Sequence, residues 1–155
     1  MRTSHATFDV EPRGVAWRER CLDEHADEEH LVLVSVEGST LIGYASSSPY
    51  RPRPAYDTTV ETSVYVHPGH LGRGVGSALY ARLLEALDRT NLHRAVASIS
   101  LPNPSSVALH ERFGFTRVGL FTEQGRKFGR YRDVAWYERP IGGIAVALRI
   151  GGAAR

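Results

Sequence analysis

Apolar and polar positions alternate along this chain in two periods, and short runs of glycine, proline and serine separate them. From Pro12 to Glu29, Val15, Trp17, Cys21 and Leu22 recur on one face with charges opposite, which predicts a helix. Ala6-Thr7-Phe8-Asp9-Val10 before it reads as a brief extended piece. The run Leu31-Val32-Leu33-Val34-Ser35-Val36 predicts a strand over His30–Glu37. Gly38-Ser39 then makes a tight turn into Thr40–Ser48, the partner strand of an antiparallel hairpin. Pro49–Tyr56 holds three prolines and two arginines and reads as a loop. Thr58–His67 predicts a long strand, Gly74 to about Thr90 a helix, and Arg94–Ser100 another strand. Pro102-Asn103-Pro104-Ser105-Ser106 opens a second helix, running to about Arg112, with Ser105 as its cap and Gly114 as a left-handed stop. Phe115–Glu123 and Arg130–Arg139 predict strands joined by a turn over Gln124–Gly129. The tail from Pro140 reads either as a loose extension or as an added edge segment. There is no internal repeat and no linker, so the pattern predicts one mixed α/β domain that begins with antiparallel strands.

The most informative stretch is Gly72-Arg73-Gly74-Val75-Gly76-Ser77, set between the strand Thr62-Ser63-Val64-Tyr65-Val66 and a strong helical pattern from Ala78. A glycine-rich turn there exposes backbone N–H groups at the positive end of a helix, which suits a phosphate or diphosphate. It is not a Walker loop, because no Gly-Lys-Ser/Thr follows. Nor is it a dinucleotide fingerprint, since the glycines fall at 72, 74 and 76 and no βαβ unit starts before them. Such turns also arise for packing alone, so the glycines by themselves leave both readings open.

Composition narrows the classes. An apolar fraction of 42% in 155 residues suits one ordinary globular core. Nineteen basic against 17 acidic residues leave a formal charge of +2, too balanced for a nucleic-acid-binding surface. Arg126, Lys127, Arg130 and Arg132 are locally basic, but Glu123 and Asp133 interrupt them, and a solvated hairpin is the preferred reading. One cysteine, Cys21, forbids an internal disulfide. The N-terminus has no signal-peptide core and no apolar run nears the ~18 residues of a membrane span, so a cytoplasmic protein is expected. His25 and His30 lie among acidic residues without metal-ligand spacing, and no metal is expected.

Taken together, Val64-Tyr65-Val66-His67-Pro68, the glycine turn, and Leu101 through Phe115 resemble the GNAT superfamily of acetyl-CoA-dependent N-acetyltransferases. Within it the chain is similar to the phosphinothricin N-acetyltransferase group. Arg51–Tyr56, Glu61–Val66 and Lys127–Val134 carry that narrower likeness, which runs from about Thr3 to about Pro140. The resemblance implies one acetyltransferase domain over 1–155, its core about 3–140 and its tail 141–155. The implied fold is a mixed, mostly antiparallel, twisted sheet flanked by helices. Against the family pattern, the usual first strand and helix before Ser4–Phe8 are expected to be missing, and Leu71 stands where Gln or Arg is usual.

The resemblance also implies roles. Glu61 would be the base, acting directly or through water, and His110 would belong to the catalytic centre. Main-chain groups of Val64, Tyr65 and Val66 would pair with the pantetheine arm of acetyl-CoA. Leu71, Gly72, Arg73, Gly74, Val75, Gly76 and Ser77 would hold its diphosphate. Asn103, with Ser105 and Ser106, would meet the arm or order a water. Arg51, Arg53 and Tyr56 would bind an acidic acceptor, with Lys127 and Arg130 closing the other side of its pocket, in a homodimer. Read from residue types alone, each has a plainer alternative. Glu61 is then an exposed strand carboxylate, His110 a packed histidine, Asn103 a turn residue, and Arg51, Arg53 and Arg73 solvated charges.

The expected activity is transfer of acetyl to the α-amine of a small acidic amino-acid analogue such as phosphinothricin, methionine sulfone or methionine sulfoximine. Attack is expected to be direct, because Cys21 lies far in sequence from the glycine turn. Two rivals stand beside it: acetylation of another amine, and a non-catalytic acyl-CoA-binding module.

Overall fold

The computed structural model describes residues 4–9, 11 and 28–142. Six strands form one sheet in the order β1-β2-β3-β4-β6-β5. Two α-helices occur among the described residues. The chain divides into two compact units, one of 25–95 with 140–155 and one of 1–24 with 96–139.

In the first unit, β1 (Val32–Glu37), β2 (Thr40–Pro49) and β3 (Thr59–Val66) form an antiparallel meander. Register places Ser47, Ala45 and Gly43 opposite Thr62, Val64 and Val66. Side chains alternate between the two faces of a strand, so those of Val60 and Thr62 share a face. Helix α1 (Val75–Leu87) covers that face. Its buried stripe is Leu79, Tyr80, Leu83, Leu84 and Leu87, the 3–4 spacing that the helical pattern requires. Each large side chain so buried contributes about 1.5–3 kcal/mol. The Tyr80 hydroxyl meets Thr62 Oγ1 at 2.8 Å, so the polar tips inside this layer satisfy each other. Gly43 lets the helix start low over the sheet: a Cβ there would stand 3.2 Å from both Val75 Cγ1 and Leu79 Cδ1 and 3.0 Å from the Tyr65 carbonyl. Ser47 Oγ donates to the Glu29 carbonyl (2.7 Å) and accepts from Leu31 N–H (2.9 Å), fastening the entry to β1.

Strand β4 (Arg94–Ser100) lies where the chain passes from the first unit to the second. In the second unit, α2 (Pro104–Arg112) leads to the antiparallel hairpin of β5 (Thr116–Lys127) and β6 (Arg130–Pro140).

Several sequence expectations are corrected here. Ser4–Asp9 forms bends and coil rather than an extended piece. The helix expected over 12–29 falls mostly outside the described residues, and Glu28 and Glu29 are bends, not helix. Strand β5 does not stop at Glu123. A register shift between Phe121 and Gly125 absorbs the extra residues, with Glu123 at φ 52° and its N–H donated to Asp133 Oδ1 at 2.8 Å. Pairing then resumes to Lys127, leaving only Phe128 and Gly129 as the turn, both at positive φ, as the twist of a two-residue hairpin favours. Polar composition had made this bulged stretch look like a loop. The hairpin is not uniformly solvated either: Lys127 is 3% exposed. Of the tail, Ile141 is buried, and 143–155 lie outside the described residues.

Candidate active site

The end of β3 and the start of α1 build a candidate site within the first unit. After β3, His67 Nδ1 accepts from Gly69 N–H (3.2 Å) and shapes a 3-10 turn over Pro68–His70. Leu71 is extended and exposed. Gly72 and Gly74 then take φ of 74° and 80°, the left-handed region that side chains rarely adopt. Gly74 is the N-cap of α1 and offers no capping side chain. Ala78 makes the first helical bond, to Gly74 O at 2.9 Å, so the amides of Val75, Gly76 and Ser77 precede the ladder. A Cβ on Gly72 or Gly74 would meet nothing within 4 Å. The turn is therefore an open cradle of N–H groups at a helix's positive end, which fits a diphosphate.

Arg73 lies between those glycines, and its guanidinium donates to Glu37 Oε1 at 3.2 Å. Glu37 also accepts from His70 Nε2 at 3.1 Å. The His70 hydrogen bond, and then the Arg73 charge, lower the Glu37 carboxyl below its ordinary value. Neither pairing was legible in the residues around Glu37.

Glu61 is half-buried on β3 and pairs with Ser48 across the ladder. Alternation puts it with Ser63 and Tyr65 on the face away from α1. Toward the turn on that face, the Tyr65 and Tyr44 rings stand 5.3 Å apart. Val64 and Val66 hold the β3 backbone in ladder with Ala45 and Gly43.

The loop over residues 51–56, expected to meet the acceptor, lies in the same unit. Arg51 stacks over the Tyr50 ring (4.9 Å) and lies 5.9 Å from the Tyr56 ring centroid, and the two rings meet edge-on at 5.7 Å. Its Nη2 donates to the Tyr50 hydroxyl at 3.4 Å, and that contact raises its pKa. Sequence reasoning missed Tyr50; an aromatic beside an arginine was the available signal. Arg53 is exposed and precedes the short 3-10 turn Pro54–Tyr56.

The remaining expected residues belong to the second unit. Asn103, not Ser105, caps α2: its Oδ1 accepts from Ser106 N–H (3.3 Å) and from Ser105 Oγ (3.2 Å). The correction is physical, since Ser105 already lies inside the first turn. His110 is 3% exposed. Its Nδ1–H donates to the Ser106 carbonyl at 2.7 Å, and its ring lies edge-on to Phe115 at 5.3 Å. Burial lowers the His110 pKa, against an opposing lift from the Ser106 bond. Lys127 Nζ donates to the Thr7 carbonyl at 2.6 Å, and the Phe8 ring lies against Gly125. Arg130 is exposed. Thus Glu61, the glycine turn and Arg51 share one unit, whereas Asn103, Ser105, Ser106, His110, Lys127 and Arg130 share the other. Cys21 lies outside the described residues.

No group of three or more His, Cys, Asp or Glu suited to a metal occurs among the described residues. No described helix is long and apolar enough to cross a membrane.

Residues 2–115 match the acetyltransferase (GNAT) family. The chain is 52% identical over 144 residues to a phosphinothricin N-acetyltransferase of Streptomyces coelicolor, covering 91% of this chain and 84% of that relative. It is 41% identical over 107 residues to an L-methionine sulfoximine/L-methionine sulfone acetyltransferase of Salmonella typhimurium, covering 69% and 63%. A similar solved structure is a GNAT phosphinothricin acetyltransferase of Sinorhizobium meliloti in complex with acetyl-CoA. Its TM-score is 0.85 at 32% identity, covering 91% of this chain and 77% of that one.

Proposed function

This chain belongs to the acetyltransferase (GNAT) family and is an N-acetyltransferase; we propose that it moves the acetyl group of acetyl-CoA onto the α-amine of a small acidic amino-acid analogue of the phosphinothricin or methionine sulfoximine type. The observation that carries the proposal is the uncapped glycine turn at the end of the strand that bears Glu61.

The diphosphate rests on the amides that precede the helical ladder of α1. From there the pantetheine arm runs beside β3 toward Glu61. Glu61 stands five positions before Val66 on the strand, about 17 Å at the usual rise. The acceptor arrives as an ammonium ion and must lose a proton before it can attack. Glu61 takes that proton, directly or through water. The freed nitrogen attacks the thioester carbonyl, the new C–N bond forms, the C–S bond breaks, and the departing sulfur takes up a proton. Arg51, steadied by Tyr50 and Tyr56, supplies a fixed cation for the acceptor's carboxylate or phosphinate. A cationic amine is repelled by the same group, which favours acidic acceptors over polyamines. A cytoplasmic homodimer is part of this reading.

A thiol-release assay with acetyl-CoA and a panel of amines tests it. Turnover is expected with phosphinothricin or methionine sulfoximine and not with polyamines. Tight coenzyme A binding without turnover would make the chain a binding module instead. Glu61→Gln is expected to lower kcat by roughly 10²–10⁴, the usual contribution of a general base, with coenzyme A affinity kept. An unchanged kcat removes Glu61 from the mechanism.

A further inference from the structure

Glu37 closes β1, opposite Thr40 across the hairpin. It stands 33 and 36 residues before the two side chains it engages, His70 and Arg73, which the 3-10 and glycine turns present. One carboxylate of the chain itself therefore engages both the Arg73 guanidinium and the His70 ring. The Glu37 and Arg73 side chains are 57% and 56% exposed, so water competes for their contact and the pair opens readily. Arg73 is flanked by the residues that leave the helix amides open, so an anion seated on those amides enters the same local field. That field contains one mobile guanidinium and two competing anions.

We propose that Glu37 is a resident counter-anion that the coenzyme's diphosphate displaces from Arg73, so that this carboxylate sets how tightly coenzyme A is held and how fast it leaves. The proposal rests on the acetyl-CoA reading given above. Arg73 exchanges partners on binding, and Glu37 takes it back as product coenzyme A departs. Glu37 touches no reacting atom; it acts through Arg73 and is a positioning residue.

Calorimetric titration with coenzyme A tests the exchange. E37Q keeps the shape and removes the charge. It is expected to tighten coenzyme A binding roughly 2- to 5-fold, the range open to exposed ion pairs, and to strengthen product inhibition by coenzyme A. In an R73Q background the same change is expected to have little effect, because the exchanged group is gone. Equal gains in both backgrounds would mean general repulsion between two anions and would overturn the exchange, as would an unchanged or weakened affinity in E37Q alone. Dephospho-coenzyme A is expected to show the same gain, and a gain confined to coenzyme A would overturn the assignment to the diphosphate. Failure of the unsubstituted protein to bind coenzyme A sinks the acetyl-CoA reading itself. Binding with E37Q unaltered sinks only the role of Glu37.

Discussion

The two helices begin in opposite ways. At α1 the cap is Gly74, with φ 80° and no side chain, and the leading amides lie ahead of the first helical bond. At α2 the cap is Asn103, whose Oδ1 takes the Ser106 N–H and the Ser105 hydroxyl. Both termini carry the same unsatisfied donors and the same partial positive charge. One end is closed by its own side chain and the other has no capping side chain, which is what the proposed diphosphate site requires. The residue type at a helix start does not by itself decide whether its amides stay open; the presence or absence of a capping side-chain bond does.

Gly74→Ala should have the largest effect of the substitutions at these two starts. An L-residue in the left-handed region costs about 1–2 kcal/mol, which the turn relieves by changing shape. Coenzyme A affinity is expected to fall about tenfold or more by calorimetry. Kept affinity would show that the open amides do not hold the diphosphate. Next, Asn103→Ala should cost about 1 kcal/mol of stability, a loss of one cap. That corresponds to a Tm lower by about 2–4 °C, with coenzyme A affinity altered less than roughly twofold. A larger loss of affinity would give Asn103 a binding role and erase the contrast.

The smallest effect concerns the far end of α2. Burial holds His110 neutral in the native state by lowering its pKa from 6.5. The unfolded chain therefore binds a proton more readily, and stability is complete above about pH 6.5 and declines as pH falls toward the lowered native value. Tm measured from about pH 8 to about pH 5 should fall more steeply for the parent than for His110→Gln. Parallel curves would show that His110 carries no such linkage.

Local pattern made much of this legible. Strand β4 spans the alternating run Arg94–Ser100, and the stripe of α1 follows its leucines. Gly114 takes φ 82° after α2, as a glycine stop suggests. The left-handed backbone of the glycine turn was legible too, because positive φ and bare amides are properties of a few consecutive residues. The boundary of β5 was not legible, since a bulge preserves pairing through residues whose composition suits a loop. Lys127 looked like a solvated pocket cation, yet its ammonium meets the Thr7 carbonyl, 120 residues away. Arg51 read as half of an arginine pair, and its stacking on Tyr50 and Tyr56 emerged only from the fold of the loop.

Residue order alone thus fixed most of the described strands and helices, the backbone of the glycine turn and the family, because periodicity and glycine's backbone freedom act over a few neighbours. Which charges face one another was left to the folded chain. Glu37 with Arg73 and His70, and Lys127 with Thr7, are pairs whose members lie far apart in sequence. Charge interaction depends on distance in space, and that distance exists only once the sheet and its turns have brought those segments together.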